Sequence, residues 1–422
     1  MTEGKNKQSL GRNTLWSLAG HTANGGGRML LFVLAARFFP PEETGVFFWS
    51  LAVATPLIYF FNLELRLSYV TDSRGKYSAG DMLGMRIVGN SVAMLLLAGF
   101  AAILAHTDGN LTALLLILCG LTRGVECFAD SFIGVMQKKE KMHQAAISFM
   151  LRTLIVLIMI VIAGYYHWPI WSIPLIWTLA VLVVNRSYEL PIARSLADMT
   201  IHFDRQRLWQ IFRDSLPLGA FMAIATLNTE SGKYFIRHYL SNADVAYYSI
   251  AITIINGTMM TQNGINQGVL RRLSIYYHVD RCQFMILLYH ILATATIIML
   301  AVIGLFWGFG REILSGLIRP EYSENLFDKG PILMIMLWGG LLIIWAMVIG
   351  DAVVACREFT GRMTSMVVSL VINLFLCYYL IAVKEMQLAG VAWAFTGSAA
   401  ANLVVNIYYL VKLMRKRSHE RR

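Results

Sequence analysis

The chain has 422 residues, of which 57% are hydrophobic and only 14% charged. Soluble domains carry about 25% charged residues, so this composition excludes a water-soluble enzyme, a disordered chain and a disulfide-stapled secreted module. The net charge of +11 punctuates apolar runs rather than forming a surface stripe, which argues against a nucleic-acid partner and for membrane topology.

Polar residues with Lys5, Lys7 and Arg12 precede a first apolar run that is too long for a signal-peptide core and reads as an uncleaved span. Windows of about 20 residues place twelve spans near 13–39, 44–64, 83–105, 111–135, 145–166, 169–190, 214–239, 245–269, 283–309, 330–353, 363–383 and 388–411. Of the 36 Lys and Arg residues, 24 fall on the side of the N-terminus, 6 on the other side and 6 inside spans. That asymmetry sets both termini in the cytoplasm. The longest outer connection, 310–329, is mixed in charge and too short for a domain.

Residues 191–213 form the longest cytoplasmic connection and divide the chain into a six-helix lobe at 1–193, an amphipathic linker at 194–213 and a second six-helix lobe at 214–422 with a basic tail. Leu208, Trp209, Ile211 and Phe212 among Arg205, Arg207 and Arg213 suggest a short helix lying on the inner leaflet. Matches at an offset of 201, such as Arg12 with Arg213 and Ala19 with Ala220, point to a duplication. Six spans per half would give the two lobes the same orientation, as in parallel-repeat transporters with a site between lobes. The fold class expected is therefore an all-α polytopic membrane protein of two six-helix lobes related by a parallel pseudo-twofold axis.

Charged groups in hydrocarbon cost at least a few kcal/mol each, so they face cavities or partners. In the first span, Asn13, Ser17, His21, Asn24 and Arg28 share one helical face. Arg28 lies fifteen residues past Asn13, roughly 22 Å along the helix, too deep to snorkel easily. Gly25-Gly26-Gly27 beside it offer a point of bending or unwinding; a close helix crossing with an internally paired arginine is the other reading. Span 4 carries Arg123, Glu126 and Asp130 on one face, and Arg123–Glu126 has ion-pair spacing. Asp130 has no partner on that helix. Arg86 and Arg152 enter from the cytoplasmic side; snorkelling is favoured for Arg86 and evenly weighed for Arg152. Asn185 and Glu189 continue a stripe with Thr178 in span 6.

In the second half, Thr226, Glu230, Lys233 and Arg237 share a face of span 7, with Ser249, Asn256, Asn263 and Gln267 on span 8. The isolated amides there, with Asn373, Asn402 and Asn406, read as interhelical hydrogen bonds. The candidate cavity cations are Arg28, Arg86, Arg123, Arg152 and Lys233, lined by His21, Asn24, Asn256 and Asn263. A cluster of guanidinium forks suits a phosphate or diphosphate. Glu230, Glu126 and Asp130 are candidates for proton or cation coupling. Cys119, Cys127, Cys282, Cys356 and Cys377 have no metal-ligand or redox spacing and read as small hydrophobes. No nucleotide-binding loop, HExxH motif or nucleophile elbow occurs, so no metal and no cofactor are expected, and no ATPase drives the protein. A proton or sodium gradient, or the membrane potential, remains as its energy source.

Asn13-Thr14-Leu15-Trp16, the run from Leu34 to Gly45, Asn62-Leu63-Glu64-Leu65-Arg66 with Thr71-Asp72, the run from Val245 to Ala251 and the run from Leu388 to Ala394 carry a resemblance. The chain resembles the polysaccharide and O-antigen flippases of the multidrug/oligosaccharidyl-lipid/polysaccharide (MOP) exporter superfamily, over its whole length. Ala246 stands where the family usually has glycine. The resemblance implies twelve helices in two lobes, alternating access, and a polyprenyl-diphosphate-linked oligosaccharide as cargo in a bacterial inner membrane. It implies no covalent chemistry, and as partners the lipid-linked glycan, membrane lipids, and polysaccharide polymerase and export proteins. A cation-coupled multidrug-type exporter of the same superfamily stands as the alternative, and a polysaccharide polymerase or ligase as a weaker one. The sign of the cavity charge discriminates between the first two.

Overall fold

Long apolar runs leave no water to satisfy backbone polar groups, so each must close its hydrogen bonds within a helix. The computed structural model follows this rule throughout. It describes residues 2–72, 76–328, 331–356 and 358–420. Side chains are described in these stretches except at 2–14, 17, 71, 261, 263–265, 267–271, 278, 328 and 416–420. Two compact units result, 1–226 and 227–422.

The first unit holds α1 (Thr2–Phe38), α2 (Pro41–Asn62), α3 (Leu65–Thr71), α4 (Ala79–Thr107), α5 (Asn110–Lys138), α6 (Met142–Tyr165), α7 (Ser172–Val184) and α8 (Leu190–Leu196), and the first part of α9 (Arg205–Tyr239). Leu63 and Glu64 adopt left-handed φ values of 55° and 48°, which breaks the chain between α2 and α3. A wider turn at Asn185–Glu189 joins α7 to α8. Ser78 and Asp81 form a capping box that starts α4. The second unit holds the rest of α9, then α10 (Asn242–Val279), α11 (Arg281–Leu317), α12 (Pro320–Ser323), α13 (Ile332–Ala355), α14 (Phe359–Cys377) and α15 (Gln387–Glu420).

Each of the twelve apolar windows lies on one of these helical rods. Nine described helical runs are long and apolar enough to cross a membrane. α1, α9 and α10, with 37, 35 and 38 residues, are long enough but more polar, and they carry three of the polar stripes read above.

Several expectations are corrected. α1 runs without interruption through Gly25–Gly27. Gly20 and Gly27 instead let α1 press against α6: a Cβ on Gly20 would lie 2.8 Å from the Ala146 Cα, and one on Gly27 would lie 2.3 Å from the Thr153 Cγ2. Small residues at a membrane helix crossing permit this approach. The outer 310–329 connection is not a loop, because α11 continues to Leu317 and α12 follows.

Residues 194–213 are neither a linker nor a separate surface helix. Asp204 accepts the Gln206 amide at 2.9 Å and starts α9, which then runs unbroken to Tyr239. Ile211 and Met199 are buried in a core with Leu63, Tyr69, Met82 and Phe132 of the first unit. Upstream, Asp198 accepts the amide and hydroxyl of Thr200, which hold its carboxyl below the usual range. The backbone of Thr200 and His202 passes directly over Gly80 and Gly84 of α4, where any Cβ would meet a carbonyl oxygen at 1.8 and 2.1 Å.

Candidate functional site

A cavity of about 230 Å³ opens within the first unit. α1 contributes His21, Asn24 and Arg28 to it; the end of α2 and the break after it contribute Tyr59, Asn62 and Glu64; α3 contributes Arg66. Glu126 and Asp130 of α5 and Arg152 of α6 complete its charged lining. His21, Asn24 and Arg28 of the polar face read along α1 thus line the cavity, while the side chains of Asn13 and Ser17 lie outside the described residues.

Glu126 is the centre of the wall. Its Oε1 accepts from Arg28 at 2.9 Å and its Oε2 from Arg123 at 2.7 Å. The Trp177 indole N–H also donates to Oε1, at 3.1 Å. Both guanidinium groups lie over the Trp177 ring, at 5.8 Å for Arg28 and 4.9 Å for Arg123. Arg123 donates its Nε–H to the Thr55 hydroxyl at 3.2 Å and is buried behind the wall rather than lining the cavity.

Asp130 pairs with Arg66 of α3 at 3.3 Å. Arg152 pairs with Glu189, which also accepts from Ser148; Asn185 accepts from Arg152 at 3.3 Å. The turn at Asn185–Glu189 therefore aims two polar side chains at Arg152.

Arg86 does not snorkel. It is 1% exposed, and its three guanidinium nitrogens have no hydrogen-bond partner among the described residues. The N-terminal end of α4 is covered: Met82, Leu83 and Met85 pack with Leu65 and Tyr69 of α3 and with Met199. Its charged neighbours are Asp130, Glu64 and Arg66. Around the cavity Arg28, Arg66, Arg86, Arg123 and Arg152 thus stand among the carboxylates Glu64, Glu126, Asp130 and Glu189. In the lining alone, Arg28, Arg66 and Arg152 match Glu64, Glu126 and Asp130.

The remaining predicted residues lie in the second unit. Lys233 donates to Glu230 at 2.5 Å, an i,i+3 pair within α9. Asn256 is exposed, and the Asn263 side chain lies outside the described residues. The amides of α14 and α15 make the interhelical bonds expected of them. Asn373 donates to the Asn228 carbonyl at 2.9 Å and to Ser231 at 3.1 Å, and Asn228 donates to Ser369 at 3.0 Å. Among the described residues no group of three or more His, Cys, Asp or Glu side chains is arranged to hold a metal ion.

Sequence reading missed Arg66, Glu64 and Trp177. Arg66 had been counted as a topological charge just past the second span. The signal that could have moved it inward is the unmatched Asp130, which required a cation from another helix.

Residues 10–271 match the family model described as polysaccharide biosynthesis protein. The chain belongs to this family. A curated relative, the capsular polysaccharide biosynthesis protein CapF of Staphylococcus aureus, is 23% identical over 395 residues, covering 91% of this chain and 95% of that protein. Among solved structures, a MOP-superfamily transporter from Pyrococcus furiosus is similar over 97% of this chain and 96% of its own, with 14% identity and a TM-score of 0.64. An inward-facing MATE-family multidrug transporter matches over 96% of this chain and 95% of its own, with 14% identity and a TM-score of 0.67. The chain thus belongs to the polysaccharide biosynthesis family and shares the fold of MOP-superfamily transporters, and its nine described helical runs long and apolar enough to cross a membrane make it a multi-pass membrane protein.

Proposed function

We propose that the protein flips a polyprenyl-diphosphate-linked oligosaccharide across a bacterial inner membrane, with both termini in the cytoplasm. The observation that carries the reading is the set of guanidinium groups in the cavity wall, in a chain of the polysaccharide biosynthesis family. Arg28, Arg66 and Arg152 present guanidinium forks to the cavity, and the buried Arg86 has no hydrogen-bond partner among the described residues, with Asp130 and Glu64 as its acidic neighbours. A cavity of about 230 Å³ is smaller than the about 300–1,000 Å³ of pockets that enclose drug-sized ligands. It suits the diphosphate as an anchor, not the whole glycan. Alternating access is supported by the similarity to MATE transporters in both inward-facing and outward-facing conformations, with TM-scores of 0.67 and 0.65.

An ion gradient or the membrane potential drives the cycle, and Glu126 and Asp130 are better placed for coupling than Glu230 because they line the cavity and Glu230 does not. Those same carboxylates support the second reading, a cation-coupled exporter of an organic cation. The test is reconstitution in proteoliposomes. Flipping of a lipid diphosphate, diminished by Arg28→Ala and partly kept by Arg28→Lys, supports the flippase. Transport of an organic cation with no response to a lipid diphosphate refutes it.

A further inference from the structure

Arg28 and Arg123 do not face the cavity as bare cations. Glu126 takes one guanidinium on each of its oxygens, at 2.9 and 2.7 Å. A phosphoryl group offers the same pair of oxygens to the same forks. The two cations are also fixed independently of Glu126. The Trp177 ring lies under both of them, and the Thr55 hydroxyl accepts from Arg123. They would keep their places if the carboxylate moved away. Glu126 itself reaches the cavity lining, so an anion entering there meets the carboxylate and the Arg28 guanidinium together.

We infer that Glu126 is an internal competitor of the anionic ligand: its carboxylate and the ligand's diphosphate take turns on Arg28, and on Arg123 behind it once the carboxylate has swung aside. This rests on the diphosphate reading above and adds to it a means of release. Two forked arginines on an indole face would hold a diphosphate tightly, and tight binding opposes turnover. A carboxylate tethered one bond rotation away returns to the arginines and displaces the anion. Glu126 thereby weakens binding and speeds release.

The test uses purified full-length protein and inorganic pyrophosphate as the probe, titrated calorimetrically, with flipping of a fluorescent prenyl diphosphate measured in proteoliposomes. Glu126→Gln keeps the shape and removes the charge. One charge-assisted contact sets the expected scale, so this variant should bind pyrophosphate roughly ten- to a hundred-fold more tightly and flip more slowly at saturation. Arg28→Gln should bind more weakly. If wild type binds pyrophosphate, Arg28→Gln weakens it and Glu126→Gln binds no tighter than wild type, Glu126 is a structural counter-ion and the inference falls alone. If no form binds pyrophosphate, the diphosphate reading falls with it. A second measurement does not depend on the folding of the Gln variant. In wild type, pyrophosphate should change tryptophan emission as Glu126 leaves the Trp177 N–H, and Trp177→Phe should abolish that change. Calorimetric binding without a Trp177-dependent change would mean the carboxylate stays in place, and would overturn the competition.

Discussion

Three glycines of α1 meet three different environments, and alanine at each should report them separately. A Cβ on Gly26 finds nothing within 4 Å. Gly26→Ala should therefore gain the helix-propensity difference, about 1 kcal/mol. Gly27→Ala has the same intrinsic gain, but its Cβ falls 2.3 Å from the Thr153 Cγ2 and 2.8 Å from its Oγ1. Overpacking of this kind costs about 1–3 kcal/mol, so Gly27→Ala should be less stable than Gly26→Ala by that amount. Thr153→Ala removes both offending atoms and leaves the Thr153 Cβ at 3.1 Å, so it should rescue most of the loss. Gly20→Ala meets the Ala146 Cα at 2.8 Å as well as its Cβ at 2.9 Å. Backbone cannot be trimmed, and Ala146→Gly should rescue little. Thermal unfolding of the purified protein in detergent, followed by tryptophan fluorescence, ranks the five variants. Equal destabilisation by Gly26→Ala and Gly27→Ala, or no rescue of Gly27→Ala by Thr153→Ala, would refute the close-crossing account of α1 and α6. Flipping by the Gly26→Ala protein answers a separate question: a stable but slow variant would mean that α1 bends at these glycines during transport.

Four further outcomes are expected. Glu189→Gln leaves Arg152 buried without a full counter-charge, and should lower stability by about 3–5 kcal/mol, whereas Lys76→Ala at a pair exposed on both sides should change it by less than about 1 kcal/mol; thermal unfolding compares them. Arg86→Met removes a buried guanidinium without partners and should raise the unfolding temperature while diminishing flipping; loss of both would mean that Arg86 is paired structurally. Cys282 is exposed while the other four cysteines are buried, so an impermeant maleimide should label the wild-type protein only from the cytoplasmic side. In a Cys282→Ser background, Glu140→Cys and Glu324→Cys, both at exposed positions, should label from opposite sides; labelling from one side refutes the twelve-span topology.

The rods were legible in the sequence because a lipid environment forces every long apolar run into a helix, whatever its neighbours. The cavity face of α1 was legible for a similar reason: His21, Asn24 and Arg28 repeat at helical spacing, and a polar stripe must turn away from lipid. What could not be read was the pairing of charges. Arg28 meets Glu126, Arg66 meets Asp130 and Arg152 meets Glu189 across 98, 64 and 37 residues, and no periodicity within one helix encodes a partner on another. Among these apolar spans the i,i+3 pairs Arg123–Glu126 and Glu230–Lys233 were the ones visible from spacing. The burial of Arg86 was hidden for the same reason, since its cover comes from α3 and from the segment before α9.

That segment bears on how the protein can be recombined with its relatives. The natural place to cut, by counting spans, is the connection after residue 193. Yet the backbone of Thr200 and His202 fills hollows that only Gly80 and Gly84 leave open, and Met199 and Ile211 complete the core beneath it. A chimera joined at 193 would give α4 a foreign lid, and any relative with a side chain at position 80 or 84, or a differently shaped connection, would fail to close it. A junction within α9 near residue 226, made in helical register, keeps lid and seat from the same parent. The exchangeable module of this protein is therefore longer than six spans by residues 194–204 before α9 and about six turns within it.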